Sequence, residues 1–193
     1  MKNADISKLR KAMEKTLDAK RFEHTLGVAY TAAALAMCYD VDTEAAIVAG
    51  LLHDCAKCIS NEKKLSMCEK RNMNISSVER KNPSLLHAKL GCILAMEEYH
   101  VEDMDVLNAI RYHTTGRPEM SLLEKIIFIS DYIEPGRNKA ENLEMIRKMA
   151  FQDLDKALLK ILTDTLSYLE DSTDDIDDMT QKTYDFYKNS VEI

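Results

Sequence analysis

The sequence is poor in residues that break regular structure. Its 193 residues include five glycines, three prolines and no tryptophan, and aromatic residues make up 6% of the chain. An average globular chain of this length has roughly three times as much glycine plus proline. Because folds with many tight turns need these residues, the shortage argues against an all-β fold. Alanine, leucine, isoleucine and methionine remain as core formers, and they favour helices.

Long hydrophobic runs are also missing. The longest uncharged run, 25–39, has 15 residues, fewer than the roughly 20 that span a bilayer. The first twenty residues are too charged for a secretory signal. The five cysteines are odd in number and lack the spacing of a disulfide framework, which favours reduced thiols. We therefore expect a cytoplasmic protein without a membrane partner.

The charge balance is acidic, with a formal net charge of −7. This argues against binding to a nucleic-acid backbone, because such proteins are basic. A polyphosphate ligand would need a local source of positive charge. The length suits one domain with a sizeable core.

The spacing of apolar residues predicts an all-α fold. The segment Asp42-Thr43-Glu44 resembles a capped helix start. Pro118 lies near the start of a later helix, which residues 134–136 end. The clearest loop is 73–84, and the acidic segment 171–178 is expected to be solvated. Helices are predicted over 5–18, 21–39, 43–58, 61–72, 85–99, 103–114, 119–133, 140–150, 152–170 and 179–189.

Five of these helices carry a ligand-type residue on their inward, apolar stripe. On helix 43–58 the stripe leads to His53, which Asp54 follows; the others carry His24, His87, His113 and Asp131. A single histidine on an apolar face is more often a hydrogen-bonded core residue than a ligand. Four imidazoles and two carboxylates together are costly to bury unless they converge on a group that satisfies them. The pattern therefore predicts a metal centre.

The donor set indicates the kind of centre. Six imidazole and carboxylate donors are too many for one tetrahedral zinc, and no thiolate is among them. They suit two ions that share a carboxylate, with iron or manganese compatible and zinc not excluded. Two such cations activate a bridging water for hydrolysis of phosphoesters or phosphoanhydrides. They also supply the positive potential that the net charge does not.

The same positions resemble the HD-domain phosphohydrolase superfamily. His24, His53-Asp54 and Asp131 match its H…HD…D signature. From about residue 20 to 140 the longer motifs are similar to the YqeK-type symmetrical bis(5′-nucleosyl)-tetraphosphatases of bacteria. These motifs are Arg21-Phe22-Glu23-His24-Thr25, Gly50-Leu51-Leu52-His53-Asp54-Cys55-Ala56-Lys57, His87-Ala88-Lys89-Leu90-Gly91, Ile110-Arg111-Tyr112-His113-Thr114-Thr115-Gly116-Arg117 and Ser130-Asp131-Tyr132-Ile133-Glu134-Pro135-Gly136-Arg137.

The resemblance implies a single-domain helical HD bundle over 1–193, with a motif core at about 20–140 and helices of 140–193 packed on it. It implies a hydrolase that uses two metal ions, iron or else manganese, to cleave diadenosine tetraphosphate (Ap4A) into two ADP. One ion would be held by His24, His53, Asp54 and Asp131, and Asp54 would bridge to a second ion held by His87 and His113.

The resemblance also implies contacts to the substrate. Asp54 and Lys57 would be catalytic, with Lys57 one helical turn after Asp54 and facing the phosphates, and Arg137 would clamp a phosphate. Arg117 is a further candidate, and Tyr184 would lie near the nucleoside or pack in the core. The nucleotide and phosphate contacts implied are Arg21, His24, Lys57, His87, His113, Thr114, Thr115, Gly116, Asp131, Arg137 and Tyr184.

Some features fall outside this pattern. Family members usually have Ile-His-Pro and then Thr-x-x-Ala-Tyr-Asn near the C-terminus, where this chain has Ile176-Asp177-Asp178 and then 180–185. The base-facing wall of the pocket is therefore open to question. The Cys55-x-x-Cys58 spacing is interpreted as coincidence, because no second pair accompanies it at zinc spacing. His100 is expected at the surface.

Three functions remain open from the sequence. The first is the Ap4A hydrolase; the second is an HD phosphohydrolase that acts on nucleoside triphosphates or other phosphorylated nucleotides. The third is a purine-nucleotide-sensing module without turnover. Metal identity, the choice of adenine or guanine and the oligomeric state, with a homodimer as one option, are open as well.

Overall fold

The fold is built from helices. The structure, a computed structural model, describes residues 5–140, 142–170 and 177–190. Within these residues there are eleven α-helices, one short 3₁₀ helix at Pro83–Leu85 and no β-strand, so the all-α prediction is confirmed. The helices are α1 (Ile6–Thr16), α2 (Ala19–Cys38), α3 (Thr43–Leu52), α4 (Asn61–Lys70), α5 (Ser77–Lys81), α6 (Leu86–Glu97), α7 (Met104–Tyr112), α8 (Leu122–Ile133), α9 (Leu143–Ala150), α10 (Leu154–Glu170) and α11 (Asp178–Ser190).

The start of α3 is as predicted, whereas the start of α8 is not. Asp42 caps α3 by accepting from the N–H groups of residues 44 and 45. Helix α8 begins at Leu122, three residues later than predicted, so Pro118 lies outside its first turn. Ser121 and Glu124 form a reciprocal capping box there. This box fixes the first turn better than a proline that only presets the backbone.

The end of α3 also differs from the prediction of one helix over 43–58. The helix ends at Leu52, and residues 53–58 form successive turns. His53 donates from Nδ1 to the carbonyl of Gly50, 2.7 Å away. That carbonyl is the acceptor that the N–H of Asp54 would use in a continuing α-helix. Lys57 therefore lies in a turn and not, as predicted, on the same helix as Asp54.

The segment 73–84 is not the irregular loop that was predicted. It contains helix α5 and the beginning of the 3₁₀ helix. Ser76 and Glu79 form a second capping box, in which each side chain accepts from the backbone N–H of the other. Of the acidic segment 171–178, residues 171–176 lie outside the described part of the chain.

The core lies between α2, α3, α7 and α8, and α10 packs against α8, α9 and α11. Leu35, Leu52, Ile110 and Ile127 are among its fully buried side chains. Helices α2 and α3 approach closely at Gly50, where a Cβ atom would lie 2.6 Å from the Cα of Ala29. Over the part of the chain that the structure describes, no helix combines the length and the apolar character needed to cross a bilayer.

Candidate metal centre

Five helices bring the predicted ligands together through their ends and inner faces. His53 directly follows α3 and His113 directly follows α7, while His87 lies in the first turn of α6. His24 projects from α2, and Asp131 lies in the last turn of α8. His53, Asp54, His87 and His113 are each at most 2% exposed, so these polar groups are inside the bundle.

Each histidine is oriented by a hydrogen bond at Nδ1. In three of them Nδ1 lies 2.7 Å from the carbonyl oxygen three residues earlier, on Gly50, Ser84 and Ile110 for His53, His87 and His113. A carbonyl can only accept, so Nδ1 carries the proton and Nε2 has a free lone pair. The fourth, His24, has its Nδ1 3.1 Å from Oε1 of Glu134. All four histidines therefore direct Nε2 to the same region, as metal ligands do.

Asp54 lies at the centre of this arrangement and divides it into two halves. Its Oδ2 is 3.5 Å from Nε2 of His53 and 3.9 Å from Nε2 of His24. Its Oδ1 is 3.2 Å from Nε2 of His87 and 3.7 Å from Nε2 of His113. Each oxygen therefore faces a different pair of imidazoles, which is the arrangement that a carboxylate bridging two ions requires.

Two groups of side chains are close enough to ligate an ion, and they share one histidine. The first is His24, His53 and Asp131, and the second is His53, Asp54 and His113. In each group the ligand atoms lie within 4.8 Å of one another. His87 adjoins the second group, since its Nε2 is 3.2 Å from Nε2 of His113. The geometry thus offers two neighbouring positions.

Two buried polar atoms test whether the residues fit metal ions. Nε2 of His53 and Oδ1 of Asp54 are buried and have no hydrogen-bond partner within the described part of the chain. Leaving such atoms unsatisfied is costly. A cation at either position would satisfy them, and imidazole with carboxylate is a donor set that iron, manganese and zinc accept. The residues therefore fit a two-metal centre.

Local electrostatics favour the ligating protonation states. Burial lowers the pKa of His87 to about 4, so this imidazole is neutral at pH 7. Burial acts to raise the pKa of Asp54, but the electrostatic interactions of its carboxylate with His53, His113 and His87 outweigh burial and hold that pKa well below 3.8. The pKa of Asp131 is also lowered, because interactions with His24, His53 and Arg137 outweigh burial. Neutral imidazoles and ionised carboxylates are the forms that bind metals.

Three cationic side chains surround the ligands. Arg21 donates from Nη1 to Oδ2 of Asp54 over 2.8 Å. Lys57 places Nζ 3.2 Å from Nε2 of His87, and burial lowers the pKa of its ammonium group. Arg137 donates from Nε to the backbone carbonyl of Asp131 and from Nη2 to the carboxylate of the same residue. All three of these predicted phosphate contacts therefore lie beside the predicted ligands, although Lys57 belongs to a turn and not to a helix.

The segment after His113 is ordered by a glycine and by α11. Gly116 has a φ of 62°, a conformation that favours glycine. A Cβ atom there would lie 2.7 Å from Cγ2 of Thr183 on α11. Thr114 and Thr115 are half-buried beside the ligand, and Thr115 donates to the carbonyl of Gly116.

Tyr184 and Arg117 both make contacts within the protein, and for Tyr184 core packing was one of the two predicted roles. Tyr184 is half-buried and packs against the hydrophobic core, with Nζ of Lys188 5.4 Å from its ring centre. Arg117 forms two hydrogen bonds, of 2.7 and 2.8 Å, with the buried carboxylate of Glu124. Arg117 therefore anchors the start of α8.

Glu134 is the residue at this site that sequence reasoning missed. Residues 134–136 were interpreted only as a helix stop, yet the Glu134 side chain is 4% exposed and contacts His24. A signal was available, because an acidic residue three positions after Asp131 extends the same inward stripe of α8.

The five cysteines and His100 are not among the predicted ligands. Cys55 is buried, with Sγ 3.5 Å from the carbonyl of Gly91, and burial raises the pKa of its thiol. Cys58 is exposed and points to Asp18. All five cysteines are free. His100 is exposed at a position with a φ of 55°, as expected for a surface residue.

Comparison with known proteins places the chain in a family. The HD domain family model matches residues 21–136, the stretch that carries all six predicted ligands. The chain belongs to the HD domain family, and the resemblance seen in the sequence is confirmed.

The relatives show which members of the family the chain is similar to. It is 41% identical over 153 residues to the symmetrical bis(5′-nucleosyl)-tetraphosphatase of Halalkalibacterium halodurans, covering 79% of this chain and 81% of the relative. The protein of the same name from Bacillus subtilis is 39% identical over 157 residues, covering 81% and 83%. A crystal structure from Clostridium acetobutylicum, described as a predicted HD superfamily hydrolase involved in NAD metabolism, matches with a TM-score of 0.92 and 42% identity over 96% of this chain and 97% of that one.

Proposed function

We propose that the protein hydrolyses diadenosine tetraphosphate symmetrically into two ADP, using a pair of metal ions. The observation that carries the proposal is the position of Asp54, whose two oxygens face separate pairs of imidazoles. Relatives named symmetrical bis(5′-nucleosyl)-tetraphosphatase, 39% and 41% identical, support this substrate.

One ion would be held by His24, His53, Asp54 and Asp131, and the second by Asp54, His87 and His113. We propose iron in both positions, with manganese as the alternative, because the donors are imidazoles and carboxylates without a thiolate. Bound ions of this kind activate water and neutralise charge on the phosphates. The acidic chain needs this positive charge, since its net charge is −7.

The chain itself would bind and orient the tetraphosphate. Lys57 and Arg137 would contact phosphate oxygens, since both place a cationic group beside the ligands and charge-assisted contacts to phosphate are strong. Arg21, whose guanidinium donates to Oδ2 of Asp54, would also contact a phosphate oxygen. Burial lowers the pKa of the Lys57 ammonium group. A negatively charged phosphate beside it would raise that pKa again, because it favours the charged form.

The nucleoside would lie toward the segment that follows His113. Thr114, Thr115 and Gly116 would contact it, because they continue directly from a ligand and are fixed against α11. Tyr184, on α11 and only half-buried, would line this side. Asp54 and Lys57 would be the catalytic residues of the proposed reaction.

We further propose that the whole chain, 1–193, forms one HD domain. Contacts of α10 with α8 support it, because they join the C-terminal helices to the motif core. We propose a cytoplasmic location with nucleotides as partners, for which the five free thiols are the support.

The reaction products test the proposed function directly. The iron-loaded or manganese-loaded protein is incubated with Ap4A, and the nucleotides are separated by anion-exchange chromatography. We expect ADP alone; AMP with ATP would contradict symmetric cleavage. Tight ADP binding without turnover would instead indicate a sensing module. His53→Ala and Asp54→Ala should each lose both bound metal and turnover.

A further inference from the structure

One of the four ligand histidines is held differently from the others. His53, His87 and His113 donate from Nδ1 to backbone carbonyls at 2.7 Å. His24 has its Nδ1 against a carboxylate oxygen of Glu134 instead, at 3.1 Å. A carboxylate carries a charge that a carbonyl lacks, so the His24 ring has a distinct environment.

The Glu134 carboxylate is buried and fixed at both oxygens. Glu134 is 4% exposed. Oε1 faces His24, and Oε2 accepts from the backbone N–H of Gly136 over 2.6 Å. A buried carboxylate with both oxygens engaged has one well-defined position.

Two glycines leave the space that this carboxylate occupies. A Cβ atom on Gly27 would lie 2.5 Å from Oε2 of Glu134, and one on Gly136 would lie 3.0 Å from the same oxygen. Gly27 is inside α2, one turn after His24, where glycine is unfavourable for a helix. The close approach of Glu134 gives a physical reason for that glycine.

Arg147 on α9 anchors the backbone on which Glu134 is carried. Its guanidinium donates to the carbonyls of Ile133, Glu134 and Arg137, at distances of 2.8 to 2.9 Å. The short segment from the end of α8 to Arg137 is therefore tied to α9. It carries Glu134 against His24 and Arg137 against Asp131.

We propose that Glu134 is a positioning residue that acts through His24 on one of the two metal positions, the one formed by His24, His53 and Asp131. By accepting from Nδ1, it fixes the tautomer and the ring plane of His24 and leaves Nε2 to bind the ion. A carboxylate in this role also makes the imidazole a stronger donor. This inference rests on the proposed metal-dependent function.

The two metal positions therefore differ in how they are supported. His87 and His113, at the other position, depend on backbone carbonyls that no side-chain substitution removes. Loss of the Glu134 charge should weaken only the position that includes His24. Loss of such an outer partner typically costs about 10- to 100-fold in metal affinity.

The test is a Mn²⁺ titration of the metal-free full-length protein, with free Mn²⁺ followed by electron paramagnetic resonance. Glu134→Gln keeps the shape of the side chain but has a single oxygen, so it cannot accept from both His24 and Gly136. We expect one of the two Mn²⁺ ions to bind about 10- to 100-fold more weakly, and the other to bind as in the unmodified protein.

Two matched controls separate positioning from general stability. Glu124→Gln alters another buried glutamate of α8, which contacts Arg117 and Ser121 but none of the ligands; both ions should bind normally. Gly27→Ala should reproduce the Glu134→Gln defect although alanine favours the helix. Gly91→Ala is its control, because the Cβ there would meet only ordinary contacts of 3.4 Å or more.

Wild-type affinity for both ions in Glu134→Gln would overturn the inference. Equal weakening of both ions would also overturn it, because that result indicates a general loss of the site. If the unmodified chain binds two ions but leaves Ap4A intact, the proposed function fails, and the Glu134 titration still stands as a separate result.

Discussion

Asp54 is the residue on which the site depends. It is 2% exposed, and its two oxygens serve different imidazole pairs. Its pKa is held well below 3.8 by the surrounding histidines in spite of burial. A carboxylate in this position is suited to bind a cation on each side.

The protonation of His87 makes the stability of the metal-free protein depend on pH. Burial lowers its pKa from 6.5 to about 4, so between these values the unfolded chain binds a proton that the folded protein does not. Lowering the pH from 6.5 to 4 should therefore reduce the free energy of unfolding by about 1.4 kcal/mol per pH unit, roughly 3 kcal/mol in all. Urea unfolding of the chelator-treated protein at several pH values measures this slope.

The His87→Gln variant is the control for this prediction. It has no group titrating at that position, so its stability should fall less steeply between pH 6.5 and 4. Asp54 and Asp131 affect the comparison little, because with lowered pKa values most of their loss of stabilisation comes at pH below about 4. Identical slopes for the variant and the unmodified protein would contradict the account.

At the scale of the elements, the ends of helices form the site. Helices α3 and α7 each end where a histidine bonds back to the carbonyl three residues earlier. The same bond stops the helix and directs Nε2 inward. Helix α8 contributes Asp131 in its last turn and then Glu134 as its C-cap. The local chain geometry thus positions the predicted ligands.

Helix α11 stabilises the segment between His113 and α8. The backbone N–H of Met120 donates to the hydroxyl of Tyr187 over 2.9 Å, and Tyr187 is 3% exposed. Tyr187→Phe should leave this buried N–H without a partner and lower the free energy of unfolding by about 1 to 3 kcal/mol. Thermal or urea unfolding, with metal content measured in parallel, checks the prediction.

Tyr168→Phe is the matched control, because Tyr168 is 73% exposed and surface changes are usually within about 0.5 kcal/mol. Metal content should stay at the wild-type level in both variants, since Tyr187 contacts no ligand. Equal stability of Tyr187→Phe and the unmodified protein would show that α11 does not hold this segment.

At the scale of the whole molecule, an acidic chain holds a centre suited to phosphate. The net charge is −7, yet Arg21, Lys57 and Arg137 lie beside the ligands. Long-range attraction of a tetraphosphate to such a chain is weak. Binding must therefore depend on the local cations, of which the metal ions carry the largest charges.

Much of this arrangement could be predicted from the sequence. The helical class followed from apolar spacing, and the clustering of the six predicted ligands followed from polar residues on inward stripes. The end of α3 at Leu52 could not be predicted, because it depends on a side-chain bond from His53 to Gly50. The contact between Glu134 and His24 also escaped prediction, because residues 134–136 were interpreted only as the end of a helix.

The central claim is that two metal ions held by these six residues are needed to split Ap4A into ADP. The most direct measurement titrates the metal-free protein with Mn²⁺ or Fe²⁺ and records the initial rate of ADP formation against the number of ions bound per chain. The account predicts no ADP without metal and a rate that rises until about two ions are bound, because the two-metal chemistry needs both positions. Full activity with one ion, or turnover in excess chelator, would contradict it.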